Sequence, residues 1–248
     1  MAPESRQACH LNTHLQSATL PLALRTVAPR DAPALSALLA GPGPRHDADA
    51  VIARQRQSAS APSVLGADGF VASGPDRVNM ALVLLTHQKA GGEPGDMAGQ
   101  PQRQQEQQAG GDEVEGDEEE LVVGLGGFGA IKTRWDSALG RPMRAGDAGV
   151  LVAPAHRRRG FAAEAMRLAL DWAFTPVSHG GPQLDVVTIT TLSDNAPMVT
   201  LVEGKLGLGG KGVLRPAEGG EPVGELYYEL KPEDWKETRR QQVAVQGR

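Results

Sequence analysis

The chain has 248 residues, with 25 basic and 30 acidic side chains for a formal charge of −5, and one cysteine, Cys9. A lone cysteine excludes an internal disulfide framework and suits a reducing compartment, so the expected location is cytoplasmic, with nuclear or mitochondrial placement left open. No apolar run reaches the roughly eighteen residues of a membrane span, and Leu20–Leu24, interrupted by Pro21, is too short for a signal-peptide core. The negative charge is local: residues 88–120 hold ten acidic and two basic residues, which leaves the rest at +3. That remainder suits a polyanionic ligand but falls short of a nucleic-acid footprint.

In chain order, residues 1–19 are polar and aperiodic and read as a flexible N-terminal tail. Leu20–Val27 reads as a strand. A helix follows with Asp31 as its N-cap, Pro33 in its first turn and Leu35, Leu38 and Leu39 on its apolar face, stopped by Gly41-Pro42-Gly43-Pro44. A polar helix over Asp47–Ser58, a loop over Pro62–Asp76 and a strand over Val78–Thr86 come next. Residues 88–120 then include six glutamines in Gln100–Gln108 and seven acids in Asp112–Glu120. Such a composition buries too little apolar surface to offset its ordering entropy, so a disordered insertion is expected. With strands on both sides it reads as an expanded hairpin loop, either a solvated spacer or a contact for a basic partner.

Leu121–Lys132 and Asp147–Val152 have strand character. A helix starts at Gly160, a buried strand covers Val186–Thr191, and a helix capped by Asp194 or Asn195 ends at Gly207. Leu226–Leu230 is a last strand before a charged tail over 236–248. Helices and strands interleave without repeat, so residues 20–235 read as one mixed α/β domain carrying the insertion.

Two glycine-containing stretches offer binding chemistry. Gly124-Leu-Gly-Gly-Phe-Gly129 satisfies the Gly-x-Gly-x-x-Gly pattern of dinucleotide-binding folds, which would suit a nucleotide-dependent oxidoreductase. No acidic residue ends the next strand, however, and a glycine-containing strand beside a close-packed neighbour is the better explanation. The other stretch is Val150–Phe174: a strand end, the basic turn Arg157-Arg158-Arg159-Gly160, and a helix without glycine or proline. A helix N-terminus offers unpaired N–H groups and partial positive charge, and Gly160 and Ala162 let a phosphate approach them. Phe161, Ala165, Leu168 and Trp172 form one apolar face with Ala162, Met166, Ala169 and Ala173 beside it, while Glu164, Arg167 and Asp171 lie opposite. The same residues could also make an exposed basic turn before an ordinary helix, or a basic nuclear-targeting or RNA-binding cluster.

Val152-Ala-Pro-Ala-His-Arg-Arg-Arg-Gly-Phe-Ala162 resembles the acetyl-CoA-binding motif of the GNAT superfamily of N-acetyltransferases. Leu22–Leu39 is similar to that family's first strand and helix. Thr188–Leu208, with Asp194-Asn195 and Glu203-Gly-Lys-Leu-Gly207, is similar to its Asn…Glu-Lys-Leu-Gly-Phe segment. Gly224–Leu230 most resembles fungal members of the ribosomal-protein/aminoglycoside-type branch.

The resemblance implies an α/β (α+β) three-layer fold, with a mixed, mostly antiparallel central sheet and helices on both faces. It implies acetyl-CoA as co-substrate: pantetheine along Val150, Leu151 and Val152, pyrophosphate on the N–H groups of Arg158, Arg159, Gly160, Phe161 and Ala162, side-chain charge from Arg157 and Arg159, and Asn195 facing the cofactor. No metal is implied. The reaction implied is direct attack by the primary amine of a small molecule, protein N-terminus or lysine, with a strand-end N–H stabilising the oxyanion. Met198 stands where related members carry serine, and no tyrosine follows on that helix. Asp147 is therefore the candidate base, and Tyr227 or Tyr228 the candidate acid, against ordinary strand-entry and core roles for the same residues. A non-catalytic acyl-CoA-binding module is the alternative.

Overall fold

A computed structural model of the chain describes residues 6–40, 47–86, 119–217 and 223–246. The strands are β1 Gln7–Ala8, β2 His14–Gln16, β3 Leu22–Thr26, β4 Ser63–Leu65, β5 Val71–Ser73, β6 Val78–Thr86, β7 Glu119–Asp136, β8 Arg141–Val152, β9 Val186–Leu192, β10 Val213–Arg215 and β11 Glu225–Leu230. The helices are α1 Ala32–Leu39, α2 Ala48–Ala59, α3 Phe161–Ala173, α4 Ala196–Val199 and α5 Pro232–Gln246. Eight strands form the central sheet in the order β10-β11-β9-β8-β7-β6-β3-β2, and β1, β4 and β5 form a small separate sheet. Every paired neighbour in the central sheet is antiparallel except β8 and β9.

The sheet separates two cores. On one face α1 and α2 lay Leu35, Ala48 and Ile52 against Ala23, Ala81, Val83 and Leu85 of β3 and β6. On the other face α3 buries Phe161, Ala165, Met166, Ala169 and Trp172 against residues of the central strands, joined by Leu201, Val202 and Leu206 and by Trp235 of α5. This is the expected three-layer mixed fold. β6 and β7 are antiparallel partners, with Thr86 opposite Glu119. The insertion expected at 88–120 lies outside the described residues apart from Glu119 and Glu120.

Several expectations are corrected. The segment 1–19 is no loose tail where it is described: β1 and β2 lie in it, and fully buried His10 sets its ring edge-on to Trp172 at 5.2 Å between centroids. The residues after 235 continue α5, whose Trp235 donates its indole N–H to Asp171 at 2.6 Å. The α3 face read as solvated is thus partly covered; Glu164 likewise accepts the Ser17 hydroxyl at 2.7 Å. Asp31 does not cap α1 with its side chain. Its carboxylate instead accepts both terminal nitrogens of Arg25, each at 2.8 Å, and the Ala28 N–H at 2.7 Å, a bidentate ion pair tying β3 to the turn before α1. Gly124–Gly129, by contrast, is the glycine-containing strand beside a close-packed neighbour that was expected: it lies within β7 with no helix N-terminus after it, and a Cβ at Gly124 would lie 2.2 Å from the Leu151 carbonyl, so it cannot cradle a dinucleotide phosphate.

Candidate active site

β8 pairs with β9 only over three rungs, from Ala145 opposite Val186 to Asp147 opposite Thr188. Beyond Asp147 the two parallel strands part: Val150–Val152 pair with Gly124–Gly126 of β7, and the far half of β9 pairs with β11. The edge of β8 that faces β9 is therefore free of a strand partner where the helix turn begins. A cleft of about 1030 Å³ opens there. Val150, Leu151, Val152, His156, Arg157, Arg158, Gly160, Phe161 and Ala162 line one wall, and Asn195, Met198, Thr200, Leu201 and Lys205 line the other.

The basic turn is built for backbone exposure. Gly160 takes φ +82° as N-cap of α3, and no side chain caps that helix. Arg158 also lies in the left-handed region at φ +62°, a conformation a non-glycine residue adopts only at a steric cost. Left-handed residues beside an uncapped helix turn successive N–H groups toward one side, an arrangement that attracts anions. Arg157 donates Nε–H to the Val152 carbonyl at 3.0 Å, so part of its guanidinium secures the parted strand edge. Arg159 is exposed and is not among the lining residues.

The opposite wall follows from α4. Asn195 Oδ1 accepts the Met198 N–H at 3.3 Å as the cap of α4, which places Asn195 across the cleft from β8. A π turn over Thr200–Lys205 follows α4, in which Leu206 N–H reaches Leu201 O at 2.9 Å. The Lys205 carbonyl then accepts from Arg167 at 2.9 Å and Gln242 at 3.1 Å. Lys205 and His156 are cleft residues that the sequence did not flag. His156 Nδ1 is buried without a hydrogen-bond partner among the described residues.

Asp147 stands at the last shared rung, exposed, where its Oδ1 accepts the Thr188 hydroxyl at 3.1 Å. The two candidate tyrosines diverge. Tyr228 is buried in the α3-side core and donates its hydroxyl to Glu203 at 3.0 Å; burial, then that carboxylate, pushes its pKa up to about 12. Tyr227 points to the other face, where its hydroxyl donates to Glu229 at 2.9 Å and Arg215 stacks 3.4 Å above its ring. Burial and the Glu229 acceptor raise Tyr227. Burial works against ionisation of Glu229, but Arg134 at 2.8 Å and Tyr227 outweigh it and hold that carboxyl below its usual range.

With this geometry in view, the acetyltransferase (GNAT) domain matches residues 84–208, half of the chain. The chain belongs to the GNAT acetyltransferase family. The Mycobacterium smegmatis RimJ structure in complex with CoA-disulfide is similar to it at 16% identity, with a TM-score of 0.51, covering 100% of this chain and 98% of that one. A GNAT-family acetyltransferase from Bacillus anthracis is similar at 14% identity and TM-score 0.50, covering 89% and 99%. A GCN5-related N-acetyltransferase from Brucella melitensis is similar at 13% identity and TM-score 0.50, covering 96% and 85%. At these identities the structures share the fold. No curated protein matches the sequence.

GNAT enzymes take acetyl-CoA as acetyl donor. The cleft fits that molecule: an uncapped helix start and Arg158 for phosphates, Lys205 on the facing wall, and a free strand edge for an amide-bearing arm.

Proposed function

We propose that the chain is an acetyl-CoA-dependent N-acetyltransferase acting on a primary amine, of the ribosomal-protein/aminoglycoside-type branch with its closest character in fungal members. The observation that carries this reading is the parting of β8 from β9 immediately beside the uncapped N-terminus of α3. One feature supplies a strand edge and the other an anion site, and a thioester carried on a phosphorylated pantetheine arm requires both. The segment Gly224–Leu230 supports the choice of branch.

Acetyl-CoA supplies an activated acetyl group. The residues of this chain do the remainder. The α3 start and Arg158 bind the phosphates, and Arg157 fixes the Val152 carbonyl. Strand alternation directs the N–H groups of Val150 and Val152 to the parted edge, where one of them stabilises the oxyanion as the amine attacks. Asp147, held by Thr188, accepts the proton lost from that amine, directly or through water. Tyr228 is committed to Glu203 in the core and Tyr227 to Glu229, so transfer rests chiefly on positioning of the two substrates.

Thiol release from acetyl-CoA, measured with spermidine, an aminoglycoside and peptides with free N-termini, tests the reading. Amine-dependent release supports it. Tight acetyl-CoA binding with no release over the whole panel would favour the acyl-CoA-binding module instead.

A further inference from the structure

Residues 196–205 run as one helical stretch, α4 and the π turn after it, and that stretch ends at Lys205. The last carbonyls of a helix lack partners inside it and take donors from elsewhere. The Lys205 carbonyl takes two, both from distant parts of the chain. Arg167 of α3 donates Nη2–H to it at 2.9 Å, and Gln242 of α5 donates Nε2–H at 3.1 Å. A carbonyl oxygen has two lone pairs, so these bonds use its full capacity. The guanidinium also brings positive charge to the negative end of the helical dipole.

Both donors are themselves held in place. Arg167 Nη1 faces Glu164 Oε2 at 3.5 Å, and Glu164 in turn accepts the Ser17 hydroxyl at 2.7 Å. α5 is fixed to α3 separately, through the Trp235 indole on Asp171 at 2.6 Å. It also lies close against the end of the helical stretch: a Cβ at Gly207, whose φ is +74°, would lie 3.2 Å from Gln242 Nε2. α3, α5 and the end of the helical stretch are thus joined pairwise, by Asp171 with Trp235, Gln242 with Lys205, and Arg167 with Lys205. Bodies tied in a closed triangle keep their relative positions, whereas one missing side leaves a hinge.

This triangle bears on the cleft, because the start of α3 and Lys205 stand on its opposite walls. Neither Arg167 nor Gln242 lines the cleft, and α5 lies beyond the matched residues 84–208. Resting on the proposed acetyl-CoA binding, we infer that Arg167 and Gln242 are positioning residues for the donor: by holding the Lys205 carbonyl they set the separation of the cleft walls and present the Lys205 ammonium to phosphates bound at the start of α3. α5 is then part of the donor site without touching the donor.

Lys205→Met removes the ammonium but keeps the carbonyl, so both ties survive in that variant and a double-mutant cycle can be closed. Acetyl-CoA affinity, by calorimetry, and melting temperature are measured for the full chain, Arg167→Met, Gln242→Ala, Lys205→Met and the two double variants. Lys205→Met should weaken acetyl-CoA about tenfold, Arg167→Met about five- to tenfold and Gln242→Ala about threefold. In the Lys205→Met background neither further substitution should weaken binding by more than about twofold, because the group it positions is gone. The fall in melting temperature that each causes should be the same with or without the ammonium, since the carbonyl is unchanged. A purely structural role would reproduce that fall but not the vanishing loss of affinity. Either residue is overturned as a positioning residue by an unchanged affinity when it is replaced, or by a loss that multiplies with that of Lys205→Met. Should Arg167→Met not fold, the Gln242→Ala half of the cycle decides the clamp by itself. A parent chain that binds no acetyl-CoA overturns the proposed function, and the clamp with it.

Discussion

The Thr188 hydroxyl donates to Asp147 Oδ1 at 3.1 Å across the last rung on which β8 and β9 run side by side. This bond fixes a carboxylate at the vertex of the opening between the strands, on the face away from α3. If Asp147 takes the proton from the attacking amine, Asp147→Asn should lower kcat by roughly a hundredfold, the usual scale of a general base, while acetyl-CoA affinity stays within about twofold. Thr188→Val should lower kcat less. Steady-state kinetics combined with titration separates these effects, and an Asp147→Asn enzyme with full kcat would remove Asp147 from the mechanism.

Arg158 combines strain and charge in one residue. At φ +62° it sits where glycine is favoured, so Arg158→Gly should raise stability by about 1 kcal/mol while weakening acetyl-CoA binding several-fold through the lost guanidinium. Arg158→Ala should weaken binding equally without the stability gain. Denaturant unfolding and titration on both variants check the split.

His10 makes the fold acid-sensitive. Burial, and next the nearby Arg144, lower its pKa from 6.5 to about 4. The unfolded chain then takes up a proton near pH 6.5 that the native chain refuses until about pH 4. The stabilisation is complete above pH 6.5 and falls as the pH drops through that window, by about 3 kcal/mol in all. Denaturant unfolding at pH 7.5 and pH 4.5 should show this loss, and His10→Gln should flatten the part of it due to His10.

Tyr228 should prove structural. Tyr228→Phe removes the hydroxyl bonded to Glu203 and should cost about 1–2 kcal/mol of stability with kcat unchanged. A collapse of kcat at retained melting temperature would instead make Tyr228 the acid.

Much of this site was legible in the sequence because it is local. A strand end, a turn with glycine at its last position and an amphipathic helix are written in consecutive residues, and Asn195 followed by Pro197 marks a helix start. The rest depends on distant pairings. Strand period shows that Tyr227 and Tyr228 face opposite ways, but which one is buried depends on α3 and the residues around Glu203 covering one face of β11. His10 looked like part of a polar tail because its partners, Ser63 at 2.8 Å and Trp172, lie far along the chain. Trp235 alone could not announce α5, since its partner is Asp171 on α3. His156 and Lys205 belong to the cleft only because β8 and β9 part, and a parallel pairing that stops after three rungs leaves no mark in either strand.

The central claim is that acetyl-CoA is held at the start of α3 beside the free edge of β8. Calorimetric titration of acetyl-CoA into the parent chain and into Ala162→Glu tests it most directly, because Ala162 lines the cleft in the first turn of α3 and a glutamate there adds bulk and like charge where phosphate must lie. The parent should bind with a dissociation constant of roughly 1–100 μM, and Ala162→Glu should lose at least about tenfold while keeping its circular dichroism and melting temperature. No heat from the parent chain at hundreds of micromolar acetyl-CoA, or equal binding by Ala162→Glu, would contradict it.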